Sequence, residues 1–263
     1  MGSDFELVTS FTAFLPRTFA VKLAAAGAKV AAPQSQPVTL RYDQAVASSD
    51  DTKSAGGFDS AGRALPAEML PGEIAFGGIR FNLAPAQTGK PNAVVAKGQT
   101  IPLPAGKFTR LYLLAAADGD QKAMFRIGDK PVELAIQDWG GFIGQWDTRK
   151  WNTRQESVPP RPGAPAQSSR MRTVMEYAGL TPGFIKPAPV AWFASHRHTA
   201  AGANEAYAYS YLYAYAIDVP ANAKTLTLPD NSRVRILAVT VSGESVQARP
   251  AQPLYDTLEV AQR

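Results

Sequence analysis

The sequence predicts an all-β fold, a β-sandwich of the jelly-roll kind with few short helices, on three observations. Glycine and proline are abundant, at 21 residues each, and turn signals recur between short runs rich in Val, Ile, Leu, Phe and Tyr. Several of these runs alternate apolar and polar residues with the two-residue period of a strand. Helical periodicity is nearly absent; the best helix candidate is 169–179, with Gly179 as its C-cap.

Turn chemistry separates the predicted strands. Gly77 and Gly78 predict a tight hairpin turn within 73–81, because paired glycines accept positive φ. Gly128 and Asp129 predict a second hairpin, and a turn is expected at 229–231. The segments predicted as strands are 19–23, 38–42, 108–115, 123–127, 132–136, 224–228 and 234–241.

The segment 207–215 alternates five tyrosines with small residues and leucine. It predicts a strand with all five tyrosines on one face. That face continues to Ile217, which indicates a buried side near that end. The alternative is a ligand platform at the end near Tyr207, beside Asn204 and Glu205.

We divide the chain into an N-terminal strand and linker at 1–36, a β-sandwich at 37–250 and a tail at 251–263. The segment 157–169 is rich in proline, which lacks the backbone N–H that a ladder needs. We therefore interpret 157–169 as an exposed loop inside one sandwich, with a domain boundary there as the alternative.

Composition excludes several classes of function. The absence of cysteine excludes disulfides, thiol catalysis and cysteine-ligated zinc. The formal charge of +5 is scattered, without a run of Lys or Arg, so no nucleic-acid partner is expected. No apolar stretch approaches the ~20 residues of a membrane span, so no membrane partner is expected either. No signal peptide follows Met1; we expect an excised fragment of a secreted or periplasmic protein.

A glycine-rich segment at 137–147 carries the first candidate binding residues. A flat indole covers the apolar face of a sugar, while carboxylates and amides bind the hydroxyls at its edge. The segment therefore favours a sugar-binding surface; the alternative is that one or both indoles cap the core. Its candidate residues are Trp139, Trp146, Asp138, Gln145 and Asp147.

The segment 191–199 contains both histidines of the chain, His196 and His198. In an extended chain they share a face with Trp192 and Ala194. Such a pair can bind zinc or another divalent metal, hydrogen-bond a sugar, or act as acid and base. The identity of any metal stays open, and a third ligand must come from elsewhere. The candidates for that ligand are Asp59, Asp138, Asp147 and Glu205.

Asp59 and Glu68 bracket a loop that contains glycine and proline. Loops with carboxylates and unpaired carbonyls can bind Ca²⁺ or sugar hydroxyls. Ca²⁺ is therefore a candidate cofactor, and no other cofactor is indicated. The alternative is an ordinary turn with solvated acids.

Several stretches together share the pattern of one known family. They are FTAFLPRTFAVKL, FDSAGRALPAEMLP, IPLPAGKFTRLYLLAAA, QDWGGFIGQWD, SHRHTAAGANEAYAYSYLYAYAIDVP and KTLTLPDNSRVRILAVTV. Over about 11–241 the chain resembles the C-terminal region of bacterial alpha-mannosidase-like glycoside hydrolases of family 38. The resemblance implies a galactose-binding-like jelly roll behind a catalytic barrel. That family's catalytic aspartate and zinc ligands lie in the barrel, to which no segment here corresponds, so no catalytic residue is carried over.

The leading hypothesis is a non-catalytic carbohydrate-binding or accessory domain of a glycoside hydrolase. The expected partners are a glycan or polysaccharide and a neighbouring catalytic domain of the same parent chain. The residues expected to contact sugar are Trp139, Trp146, Trp192, Asp59, Asp147, His196, His198 and Glu205.

Two alternatives come from other classes. A jelly-roll polysaccharide lyase or glycosidase would use His196, His198 and a tyrosine such as Tyr207 for proton abstraction beside a uronate, while Arg197 neutralises the acid. A purely structural brace would bind no ligand and would expose an apolar interface when excised. Whether the fragment is an enzyme stays open, and the absence of the barrel weighs against it.

Overall fold

The computed structural model describes residues 5–10, 18–23, 35–52, 57–159, 162–163 and 170–243, with backbone alone for the first two ranges. Within these ranges strands dominate, and the one helical segment is a 3-10 turn, Ala67–Met69. The prediction of an all-β sandwich with few short helices is confirmed. None of the described helical structure is long and apolar enough to cross a membrane.

The described residues form strands that we number β1 to β20 in chain order. They are β1 Phe5–Ser10, β2 Thr18–Leu23, β3 Ser35–Pro37, β4 Ala47–Ser48, β5 Leu65–Pro66, β6 Glu73–Phe76, β7 Ile79–Asn82, β8 Val94–Lys97, β9 Thr100–Pro102, β10 Arg110–Ala117, β11 Gln121–Ile127, β12 Lys130–Ile136, β13 Gly144–Gln145, β14 Thr148–Val158, β15 Arg170–Thr181, β16 Phe184–Ile185, β17 Val190–His198, β18 Asn204–Asp218, β19 Thr225–Thr227 and β20 Asp230–Ser242.

The chain divides into two compact units, Met1–Ala32 and Pro33–Arg263. In the first unit β1 and β2 form an antiparallel pair, with Phe5 opposite Leu23. The strand predicted at 19–23 therefore exists. Most of the predicted linker, at 24–34, and the predicted tail lie outside the described residues.

The larger sheet of the second unit has the strand order β17-β18-β10-β20-β3, and β8 also pairs with β20. All of these neighbours are antiparallel. The central strand β10 is buried on both faces from Leu111 to Ala117. Its continuous apolar run is the pattern expected of a strand that is covered on both sides.

The smaller sheet has the order β12-β11-β19-β9. Along β11 the burial alternates: Phe125 and Ile127 are fully buried, whereas Met124 is half exposed. One face of this sheet therefore packs on the core and the other faces water. Phe125 belongs to the same buried cluster as Leu113 of the larger sheet. Truncation of such a side chain to alanine typically costs about 3–5 kcal/mol.

Two of the three predicted turns lie where the sequence indicates. Gly77 and Gly78 connect β6 to β7 with φ of 57° and 82°, values that glycine adopts without strain. Gly128 connects β11 to β12 with φ of 58°. The turn expected at 229–231 is wrong in its position, because Asp230 already belongs to β20 of the larger sheet, which residues 228–229 connect to β19 of the smaller one.

Two further predictions of secondary structure are wrong. The helix expected at 169–179 is strand β15, because its backbone pairs with β14 along its whole length. Cross-strand bonds from Arg172 to Glu156 and from Arg154 to Glu176 reinforce this pairing. The segment 38–42 has the alternating burial of a strand but lies outside the ladder, which ends at Pro37.

The predicted tyrosine strand is β18, and four of its tyrosine rings form a row. Neighbouring ring centroids from Tyr209 to Tyr215 lie 6.1–6.5 Å apart. Tyr211, Tyr213 and Tyr215 are buried, which confirms the buried side near Ile217. Tyr207 lies at a register shift against β17, with φ of 60°, and is 86% exposed. A bulge of this kind breaks the two-residue alternation.

The strands β14 and β15 form a two-stranded ribbon, which we call the arm. None of their residues is buried. At ~3.3 Å per residue, the arm extends about 35 Å. Its exposed apolar side chains include Trp151 and Tyr177, whose rings meet edge to face at 6.0 Å.

We predict that the sandwich folds without the arm. Replacing residues 150–179 by Asn-Gly, which favours a two-residue hairpin turn, removes no buried strand residue. We expect the melting temperature to change by less than about 4 °C, which corresponds to ~1 kcal/mol for a chain of this size. Calorimetry measures it. Loss of the cooperative transition would show that the arm supports the core.

Candidate functional site

A cleft of about 450 Å³ opens where two loops of the second unit run side by side. A smaller recess of about 250 Å³ adjoins it, because Phe184 and Ile185 line both. The cleft is lined by Asp120, Gln137, Asp138, Gly140, Gly141, Phe142, Phe184, Ile185, Lys186 and Pro187. The recess is lined by Ile143, Gly144, Gln145, Trp146, Phe184 and Ile185. We call the two together the loop cleft.

Buried tyrosines of β18 fix the floor of the loop cleft. The hydroxyl of Tyr213 donates to the carbonyl of Asp138 at 3.0 Å. The hydroxyl of Tyr215 accepts the backbone N–H of Gln137 at 2.8 Å. The backbone N–H of Tyr211 donates to the carbonyl of Trp139 at 2.7 Å. The segment 137–139 is therefore attached to the central sheet at three successive residues.

Trp139 is sealed in the core, with 2% exposure. Its ring stacks on Phe58 at a centroid distance of 4.5 Å. The guanidinium of Arg197 lies 5.4 Å from the same ring. Because neither face is open to a ligand, Trp139 anchors the loop, and the expectation that a sugar stacks on it is corrected.

Trp146 has the opposite environment, with 76% exposure. Phe142 is 71% exposed and Phe184 is 41% exposed on the same two loops. Asp147 holds the adjacent backbone, since its Oδ1 atom accepts the N–H of Gly183 at 2.5 Å. Trp146 thus offers an indole face at the rim of the loop cleft, while Asp147 supports the rim.

The polar lining of the loop cleft centres on Lys186, which is 7% exposed. Its Nζ atom donates to the carbonyl of Asp138 at 3.3 Å and lies 3.8 Å from Oδ1 of Asp120. That Asp120 oxygen also accepts the backbone N–H of Asp138 at 2.7 Å. The ammonium of Lys186, the carboxylate of Asp120 and the main-chain carbonyl of Asp138 therefore converge beside the exposed aromatic side chains.

Sequence reasoning missed Lys186, Asp120 and the two phenylalanines of the loop cleft. One signal was available: the tripeptide Gly-Phe-Ile occurs at 141–143 and again at 183–185. Residues of both copies line the loop cleft. The pairing of β13 with β16 brings them together, with Gly144 opposite Ile185.

Glu205 and Asp59 belong to an ion-pair network. Glu205 accepts two hydrogen bonds from Arg197, at 2.7 and 3.1 Å, and lies 3.2 Å from Arg63. The Arg197 hydrogen bond is the main cause that lowers the pKa of Glu205. Asp59 accepts the backbone N–H of Ala61 and of Arg63 in its own loop. Both carboxylates thus already accept hydrogen bonds from the protein itself.

His196 and His198 lie close together, as the two-residue period predicted, with ring centroids 5.6 Å apart. The third member of this cluster is Asp50. The four third ligands suggested by the sequence were Asp59, Asp138, Asp147 and Glu205, and none of them belongs to this cluster. Trp192, on the same strand, is half-buried, and its indole N–H donates to the carbonyl of Met69 at 2.9 Å.

The eight predicted contact residues therefore do not surround a single recess. Trp146 and Asp147 lie at the rim of the loop cleft. Trp139, Asp59 and Glu205 contact the arginines Arg63 and Arg197. The other three, Trp192, His196 and His198, lie on β17.

The fold and its loops define a β-sandwich domain with a polar and aromatic cleft at one set of connections. Residues 34–245 match the family described as the AziU2-like beta-sandwich domain, and the chain belongs to that family. No curated protein matches the chain. The family match establishes the β-sandwich and carries no link to family 38 glycosidases.

The tyrosines beneath the loop cleft predict alkaline sensitivity. Burial raises the pKa of Tyr213 and Tyr215 above the ordinary 10.0. The stability that these hydroxyls contribute is therefore complete below pH 10 and is lost as the pH rises above 10, because only the unfolded chain ionises them readily. Absorbance of tyrosinate and circular dichroism, followed together, should show these tyrosines ionising only as the fold is lost.

Tyr177→Phe is the matched control, since Tyr177 lies exposed on the arm. It should leave the alkaline midpoint unchanged. Ionisation of all nine tyrosines near pH 10 in an intact fold would contradict the prediction.

Proposed function

We propose that the chain is a non-catalytic carbohydrate-binding domain whose binding site is the loop cleft. The observation that carries the proposal is the pairing of an exposed indole, Trp146, with a polar cleft floored by Lys186, Asp120 and Asp138. A sugar offers an apolar C–H face and a polar edge, and these two kinds of surface complement it.

The aromatic side chains supply the first half of the argument. Single exposed apolar residues are common on protein surfaces. Here Phe142, Trp146 and Phe184 are exposed together on two adjoining loops. A grouped apolar surface of this kind is typical of a ligand site, and flat rings suit the stacking of a pyranose.

The polar lining supplies the second half. Sugar hydroxyls both donate and accept, so a site needs acceptors and donors side by side. Asp120 provides a carboxylate acceptor, Asp138 lines the same cleft, and Lys186 provides an ammonium donor with little exposure to water. Hydrogen bonds to charged groups are stronger than neutral ones. The cleft volume of about 450 Å³ lies within the range of small-molecule sites.

The proposed biological role is that of an accessory domain. The resemblance to the C-terminal region of family 38 glycosidases supports a neighbouring catalytic domain in the same parent chain. In this proposal the domain holds a glycan for that neighbour outside the cell or in the periplasm. A shallow site for one or two sugar units should bind with micromolar to millimolar Kd, equal to about −8 to −4 kcal/mol.

Substitution of the exposed indole tests the proposal. Trp146→Ala should weaken binding of the best ligand from a glycan panel that includes mannosides at least tenfold, or about 1.4 kcal/mol. Stacking contacts are lost, while the fold is unaffected because Trp146 is 76% exposed. Calorimetric titration and tryptophan fluorescence measure the affinity.

Trp151→Ala is the matched control, because Trp151 is an exposed tryptophan on the arm and is not among the residues that line the loop cleft. It should bind glycan like the parent protein. If no glycan in the panel binds, or if Trp151→Ala weakens binding as strongly as Trp146→Ala, the loop cleft is not a sugar site. A domain that only braces a catalytic neighbour would give a blank panel.

A further inference from the structure

We propose that the chain binds a divalent transition-metal ion at a second site formed by Asp50, His196 and His198. We call these three residues the Asp-His-His cluster. One ligand atom from each residue lies within 4.8 Å of the other two. Two imidazoles and one carboxylate are a donor set used by zinc and by non-haem iron, with further coordination positions open to water or substrate.

The spacing of the cluster is close to that of a coordinated ion. In a tetrahedral site with bonds of ~2.0–2.1 Å, ligand atoms lie about 3.4 Å apart. Nε2 of His198 and Oδ1 of Asp50 are 3.2 Å apart. One edge of the coordination shell is therefore already at the required distance. The third ligand must close by at most about 1.4 Å, which a side-chain rotation achieves.

His198 is held in the orientation that a ligand needs. It is completely buried at the end of the edge strand β17, and its backbone pairs with Ala64. Its Nδ1 atom lies 2.8 Å from the hydroxyl of Ser48, also buried. When Nδ1–H donates to that hydroxyl, Nε2 carries the lone pair that coordinates metal. A hydrogen bond of this type fixes the tautomer in known metal sites.

His196 provides an independent indication of a ligand. Its Nε2 atom is shielded from solvent and has no hydrogen-bond partner among the described residues. A buried polar atom without a partner costs free energy, typically about 1–3 kcal/mol. Native structures rarely retain such atoms without a bound ion or water. A metal ion coordinated by Nε2 of His196 would supply the partner that this atom lacks.

Asp50 provides the entry side of the site. Its side chain is 51% exposed, so an ion can reach the cluster from solvent. Its backbone is fixed, because the N–H of Asp50 donates to Oε1 of Glu68 at 2.7 Å. The cluster therefore combines a buried, oriented imidazole with an accessible carboxylate.

The donor set selects the class of ion. Imidazole nitrogen suits zinc, iron, cobalt, nickel and copper, whereas Ca²⁺ and Mg²⁺ prefer oxygen ligands alone. We therefore expect Zn²⁺ to bind and Ca²⁺ to bind poorly at the Asp-His-His cluster.

This site is separate from the loop cleft. Along β17, Arg197 alternates with the two histidines and points to the other face, where it lies over Trp139 beside Gly140. No residue of the Asp-His-His cluster lines the loop cleft. Metal binding and glycan binding can therefore succeed or fail independently.

The test uses the full chain without a histidine tag, dialysed against a chelator and titrated calorimetrically with ZnCl₂. We expect one ion per chain and a Kd in the micromolar range or tighter. His196→Gln and Asp50→Asn should each weaken binding at least tenfold, the lower end of the loss seen when metal-site residues are changed. His198 is left intact, because its burial makes the fold depend on it.

Asp51→Asn is the matched control, since it removes a neighbouring carboxylate that is not part of the cluster. It should change the Kd for Zn²⁺ by less than about twofold, an ordinary surface effect. Absorption of bound Co²⁺ in the visible range should report nitrogen coordination in the unsubstituted chain and should disappear in His196→Gln.

Three results would overturn the proposal. They are the absence of Zn²⁺ binding, an unchanged Kd in His196→Gln with the fold intact by circular dichroism, and an equal loss in Asp51→Asn. In the first case Asp50 and His198 contact each other directly and no ion joins the cluster. A glycan titration of the metal-free protein measures binding at the loop cleft separately, so a failure of the metal site is distinguished from a failure of the sugar site.

Discussion

Two buried tyrosine hydroxyls of the central sheet determine where the candidate site stands. Tyr213 donates to the carbonyl of Asp138, and Tyr215 accepts the N–H of Gln137. An irregular segment cannot satisfy its own backbone groups in a low-dielectric interior. The two hydroxyls supply the missing hydrogen-bond partners and so offset the free-energy cost of burying this segment. With 137–139 fixed and Trp139 packed on Phe58, the following residues must emerge at the surface. The rim that carries Phe142 and Trp146 depends on this attachment.

The two faces of the edge strand β17 contact two different parts of the domain. Arg197 packs on Trp139 and pairs with Glu205, which supports the loop cleft from behind. His196 and His198 face the turn that carries Asp50. An edge strand has one unpaired side, and here Ala64 pairs with His198 to cover part of it. Covering an edge in this way also limits unwanted strand pairing.

Much of the fold was predictable because it depends on local rules. Hairpins at Gly77-Gly78 and Gly128-Asp129 follow from positive φ, and β10 follows from a continuous apolar run. The errors also have local causes. The segment 170–181 carries apolar residues at helical spacing, yet its partner strand β14 supplies cross-strand charges that favour an extended backbone.

The sequence by itself determined the all-β class, the two glycine hairpin turns and the placement of both histidines on one face of a strand. Only the tertiary structure decided which indole is exposed: Trp139 and Trp146 share one short segment, but one packs on Phe58 and the other faces water. It also decided the partners of His198, since Ser48 lies 150 residues away in the chain. The physical reason is that strand periodicity is a local property, whereas burial and ligand sets depend on which distant segments pack together.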